Sequence, residues 1–160
     1  MITIFNVIDE VRAAIAADGT VNKLADRYKK SVRFIIGHLG TQALWQDSTR
    51  VNISIAPSTE PYDVGYSGEQ RRTLPLSIRI GVYDDEVSPD ESSVEHEGVR
   101  VVSEMASAVC DCVRAIPGLG DELTNAEIVA DSTETWPLCV ALIELRFGLS
   151  RGLAYEPAVT

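Results

Sequence analysis

The residues of this chain able to do chemistry are few, and their spacing decides what they can do. Cys110-x-Cys112 is the first pair to test, because two thiols close in sequence can bind a metal or exchange electrons. On a helix, however, residues two apart lie about 200° apart around the axis, so the thiols diverge. Cys112 also falls in an apolar stripe, and the pair is expected to be small buried side chains. His96-Glu97 begins like a zinc-protease helix, but position 100 is Arg where the second histidine would stand. His38 is the only other histidine, and two histidines without a matching ligand set do not make a catalytic zinc site.

Other fragments fail on the same terms. Gly65-Tyr66-Ser67-Gly68 has Glu69 where a nucleophile elbow needs glycine, and it joins two strands instead of a strand and a helix. The acidic run from Asp84 to Glu91 contains Pro89 and lacks the glycine of a calcium loop, so a solvated connector is expected. Gly118-Leu119-Gly120 is followed by no Lys-Ser/Thr pair and cradles no phosphate. The expectation is a protein without catalytic residues, cofactor or metal.

Two basic features stand against an acidic total. Lys23, Arg27, Lys29, Lys30 and Arg33 cluster around one segment, and Arg71-Arg72 stand near Tyr62, Asp63 and Tyr66. They read either as solvated charges or as patches that meet the acidic face of an identical neighbour, the complementarity of a head-to-tail interface. With 14 basic and 24 acidic side chains, the net charge of −10 repels a nucleic-acid backbone and argues against a dedicated DNA- or RNA-binding domain. It is compatible with DNA sliding past without sticking.

The elements that position these residues follow from periodicity. Ile4, Val7, Ile8, Val11 and Ile15 recur at helical spacing up to Asp18-Gly19. A second helix is expected over 21–30, while 31–46 stays open: Val32-Arg33-Phe34-Ile35-Ile36 fits a helix or a short strand. Val51, Ile53 and Ile55 alternate as a half-buried strand, as do Leu74, Leu76, Ile78, Ile80 and Val82. The stretch between them, Pro57 to Thr73, makes an oversized hairpin loop that would project roughly 25 Å at extended-chain rise. Loops of this length are uncommon in compact domains and are usually either functional or disordered.

Ser92 and Glu95 form a capping box before a stripe from Val94 to Ile116, stopped by Pro117-Gly118. A third strand is expected near 126–131. Leu138 to Phe147 completes the set, with Cys139, Ala141, Ile143, Leu145 and Phe147 on one face. The fold expected is α+β in one domain over 1–160: an antiparallel sheet of about four strands with helices packed on one face, and a tail from 150 frayed or docked on a partner. The first residues lack the basic start of a signal peptide, and no run reaches the ~18 apolar residues of a membrane span, so synthesis in a reducing cytoplasm is expected.

This layout resembles the tail-terminator (tail-completion) proteins of long-tailed bacteriophages and related particles. The likeness runs through the opening helix, Ile53-Ser54-Ile55-Ala56-Pro57, the long loop, Leu76-Ser77-Ile78-Arg79-Ile80, the helix from Met105 to Ile116 with Pro117-Gly118-Leu119, and Val140-Ala141-Leu142-Ile143-Glu144-Leu145. It covers nearly the whole chain and rests on order, not on invariant residues. The resemblance implies a structural virion protein: a homo-oligomeric ring, commonly a hexamer, at the neck where tail joins head. Such a ring ends polymerisation of the tail tube protein and offers a surface to the head-side connector protein, while DNA passes through its lumen without specific binding. It implies further that Tyr62, Asp63, Tyr66, Arg71 and Arg72 meet a neighbour or the tube; Lys23, Arg27 and Lys30 are expected at an interface from their charge and not from the resemblance. The basic stretch 21–36 departs from a compact member of that family and leaves another neck or head-completion protein as an alternative. A small ligand-binding α+β module and an enzyme with an unrecognised carboxylate pair are the readings from other classes.

Overall fold

The computed structural model describes residues 4–37, 47–58, 73–84, 97–130 and 137–148. Helix α1 (Ile4–Ala17) buries Val7, Ile8, Val11 and Ile15 along one side. It stops because Asp18 leaves helical geometry, with φ −72° and ψ 122°, and its carboxylate accepts from Val21 N at 2.9 Å to cap helix α2 (Gly19–Arg27). The second helix thus runs 19–27 where 21–30 was expected. Its end is a Schellman closure: Lys30 N donates to Ala25 O and Lys29 N to Asp26 O, with Lys29 at φ 55° in the left-handed region.

Strand β1 (Ser31–Ile36) settles the first part of the open segment 31–46 as a strand, and 38–46 lie outside the described residues. Strands β2 (Arg50–Pro57) and β3 (Thr73–Tyr83) follow, then helix α3 (Glu97–Arg114). A short 3-10 turn (Gly120–Glu122) leads into β4 (Leu123–Ala130), and β5 (Leu138–Gly148) closes the order. The five strands form one sheet in the order β1-β2-β3-β5-β4.

The α+β class holds, with a correction to the sheet. It has five strands, not about four, and it is mixed: β1 pairs parallel with β2, while β2–β3, β3–β5 and β4–β5 are antiparallel. A parallel neighbour requires a crossover of about a dozen residues, and the chain between Ile36 and Arg50 is long enough to return to the starting end. Ser31 N donates to Thr49 O there, tying the starts of both strands together. The long loop, the Ser92/Glu95 capping box and the tail lie outside the described residues.

One sheet face carries the core. Val51, Ile53 and Ile55 of β2, Leu74 to Val82 at alternate positions of β3, and Cys139, Ala141, Ile143, Leu145 and Phe147 of β5 join the helix stripes in one buried cluster. Helix α3 packs on β3 and β5, and α1 and α2 pack beside it over β2 and β1. The start of α3 is anchored from a distance: Asp84, just past β3, accepts from Gly98 N at 2.8 Å. Gly98 has no room for a side chain, since a Cβ would lie 2.9 Å from both Asp84 Cβ and Cys139 Sγ.

Two substitutions test these local constraints in opposite directions. Gly98→Ala should destabilise the fold by about 1–3 kcal/mol through overpacking, read as a lower urea midpoint at unchanged slope. Lys29→Gly should raise stability by about 0.5–1 kcal/mol by relieving the left-handed backbone, less the added freedom of the unfolded chain.

Candidate assembly interface

The basic residues of the second helix are largely held within the chain. Arg27 pairs with Glu104 of α3, donates to Tyr28 Oη at 3.2 Å and stacks over the Tyr28 ring at 4.9 Å. Tyr28 Oη in turn donates to Glu104 Oε2 at 2.8 Å. The phenol is pushed above its ordinary value, chiefly by burial and next by that hydrogen bond. Arg27 is held more firmly protonated, first by its bond to Tyr28. This cluster ties the end of α2 to the middle of α3.

Lys30 Nζ donates to Ser48 O at 2.6 Å, and Arg33 Nε donates to Asn52 Oδ1 at 2.7 Å. Lys23 is exposed on α2. Of the expected contacts, Lys23, Arg27 and Lys30 therefore share one region, although Arg27 and Lys30 already have intrachain partners. Tyr62, Asp63, Tyr66, Arg71 and Arg72 lie outside the described residues.

Between the end of α1, α2 and β1 runs a cleft of about 340 Å3. Its floor is apolar, with Ile15, Val21, Val32 and Phe34, and Asp26 and Lys30 stand at its rim. On the sheet face away from the helices, Asn52 is fully buried and its amide is oriented by Arg33. That leaves Asn52 Nδ2 as the one buried side-chain donor without a hydrogen-bond partner among the described residues.

Among the described residues four large apolar side chains stand exposed: Phe5 of α1, Val99 of α3, and one at each edge of the sheet. Ile36 of β1 is 45% exposed and Ile128 of β4 is 44% exposed. The strand registers place them in one line: Ile36 pairs with Ile55, Ile55 with Ile78, Ile78 with Ile143, and Ile143 with Ile128. The three inner members are completely buried, so the exposed pair are the two ends of a single five-isoleucine row. Sequence periodicity assigned these positions to strands but could not show that they end a row, because register is a long-range property.

The cysteines are structural. Cys110, Cys112 and Cys139 are free and buried. Burial raises all three thiols, and beside Asp18 the Cys112 thiol reaches about 11. Among the described residues, no group of three or more His, Cys, Asp or Glu side chains is arranged to hold a metal, and no helix is long and apolar enough to cross a membrane. Comparison of the chain with protein-family models and with curated proteins finds no match.

The thiols give a pH dependence with a definite sign. A folded-state value raised from about 9 to about 11 means that the native chain holds the Cys112 proton longer than the unfolded one. Stability from this group is intact below about 9 and declines as pH rises towards about 11. Cys110, Cys139 and Tyr28 shift in the same direction, so the readout is a difference: urea midpoints of Cys112→Ala should fall less steeply across that window than those of the parent.

Proposed function

We propose that this chain is a structural subunit of a ring at the head-proximal end of a phage tail tube, where it ends tube polymerisation and joins the tail to the head-side connector. The observation that supports this reading best is the pair of unlike sheet edges: among the described residues β1 bounds the sheet on one side and β4 on the other, each with an exposed isoleucine. A subunit with two different adhesive sides joins copies head to tail, and head-to-tail contacts close into rings when the rotation allows. The order of elements along the chain agrees with the tail-terminator layout. A net charge of −10 suits a wall past which DNA slides without sticking.

The mechanism follows from what a terminator must do. Each tube subunit added to a growing tube recreates the surface that the next one needs. A terminator matches that surface on one side and withholds it on the other. In this reading Tyr62, Asp63, Tyr66, Arg71 and Arg72 reach a neighbour or the tube, and Lys23 contributes from α2. Each ring contact should bury on the order of 1,000 Å2 or more. The cleft beside α2 favours the competing reading, a small ligand-binding module working as a monomer or dimer.

Native mass spectrometry over a range of concentrations, with negative-stain imaging of the largest species, separates the two. A ring with a central hole, growing with concentration and indifferent to metabolites, is expected. A strict monomer that a metabolite at 100 times its dissociation constant stabilises by about 2.7 kcal/mol would overturn the ring. Within the ring reading, shortening Gly65–Arg72 should leave the monomer folded and impair ring closure or tail joining. Normal particles built from the shortened protein would remove the loop from the mechanism.

A further inference from the structure

We infer that two copies of this chain pair through α1, lying antiparallel so that Phe5 of each enters the other's cleft beside α2. The contact is independent of the ring reading: it uses neither sheet edge, and it joins two free subunits or two rings alike. Phe5, Asp9, Arg12 and Ala16 follow one another at steps of four, three and four residues. That spacing is the seam of a helix pair, and it keeps all four within about 60° around the axis. Val7, Ile8, Val11 and Ile15 supply the core from the other side, so this flank is left over after folding.

Phe5 is 60% exposed, the most exposed large apolar side chain among the described residues. Ala16, at the other end of the same flank, is itself part of the cleft wall, with Ile15, Val21, Val32 and Phe34. Anchor and receptor stand roughly 16 Å apart along one straight helix, so Phe5 cannot reach the cleft of its own chain. A second copy, related by a twofold axis across the middle of α1, brings them together twice. A helical side chain leans towards its own N-terminus. In an antiparallel partner that lean carries Phe5 past the small Ala16 towards Val21 and the apolar floor.

The charges agree in the same register. The alignment that sets Phe5 opposite Ala16 sets Asp9 opposite Arg12 of the other copy, and Arg12 opposite its Asp9. Among the described residues no ion pair or hydrogen bond holds the Asp9 or Arg12 side chain, whereas Arg27, Arg50 and Arg114 each have a carboxylate partner. A parallel pairing in register would bring Asp9 against Asp9 and leave both clefts unfilled, so charge selects the antiparallel one. A contact of a few helical turns belongs with small, transient interfaces, so it forms at high protein concentration.

Charge exchange in the full-length chain tests the pairing, read by sedimentation velocity over concentrations rising to the millimolar range. Asp9→Arg and Arg12→Asp should each weaken twofold association by about tenfold or more, as should Phe5→Ala. An equimolar mixture of the two charge variants should recover it, because every contact then joins unlike charges. The double variant Asp9→Arg/Arg12→Asp should recover it for the same reason. None of the three side chains belongs to the buried core, and thermal melting of dilute variants like that of the parent verifies folding. Single variants that associate as the parent does would overturn the proposal, as would a mixture that stays dissociated or a parent that never pairs. Rings whose pairing ignores all three substitutions remove this contact and leave the ring reading. Parent dimers that Phe5→Ala dissociates, with no ring at any concentration, support the contact and remove the ring.

Discussion

Ile78 sits at the middle of β3 with Ile55 and Ile143 on either side, and the helix layer over this line of side chains is what makes the chain fold. Burying each such side chain contributes about 1.5–3 kcal/mol, and the row is one of several that α3 and its companions cover. The helices are arranged to keep that cover in place. Asp18 ends α1 and caps α2 in the same residue, the Arg27–Tyr28–Glu104 cluster ties α2 to α3, and Asp84 anchors α3 to the end of β3. Each of these polar devices lies at the margin of the apolar layer, where water is excluded only in part and hydrogen bonds fix direction more than they add stability.

Much of this was legible from spacing alone. The stripe Ile4, Val7, Ile8, Val11, Ile15 is helical by period, and the alternation of Leu74 to Val82 and of Cys139 to Phe147 is strand by period, because each element buries a single face. Val32 to Ile36 resisted, since a short apolar run with one arginine satisfies either period. The parallel pairing of β1 with β2 was not readable either: it depends on where a connection of intermediate length returns, and hydrophobic pattern does not encode that. The antiparallel default failed for this reason.

The contact residues divide in the same way. Lys23, Arg27 and Lys30 looked like one basic patch in sequence, yet Glu104 is 77 positions from Arg27 and no local pattern announces that it draws the guanidinium onto α3. Asp84 read as the start of a solvated acidic connector, although its carboxylate serves a backbone amide at 98. Ile36 and Ile128 looked like any core isoleucine. Their difference from Ile55 or Ile78 is only that the sheet stops beside them, a fact that exists once all five strands are in register.

The two capping aspartates have one more effect. Asp18 lies against Cys112 and Asp84 against Cys139, and in both places the carboxylate opposes formation of the thiolate that oxidants attack. Burial is the larger cause at both sulfurs, and the carboxylates that start the helices add to it. A carboxylate lost from either helix start would therefore loosen two things at once, the direction of a helix and the inertness of the sulfur beneath it.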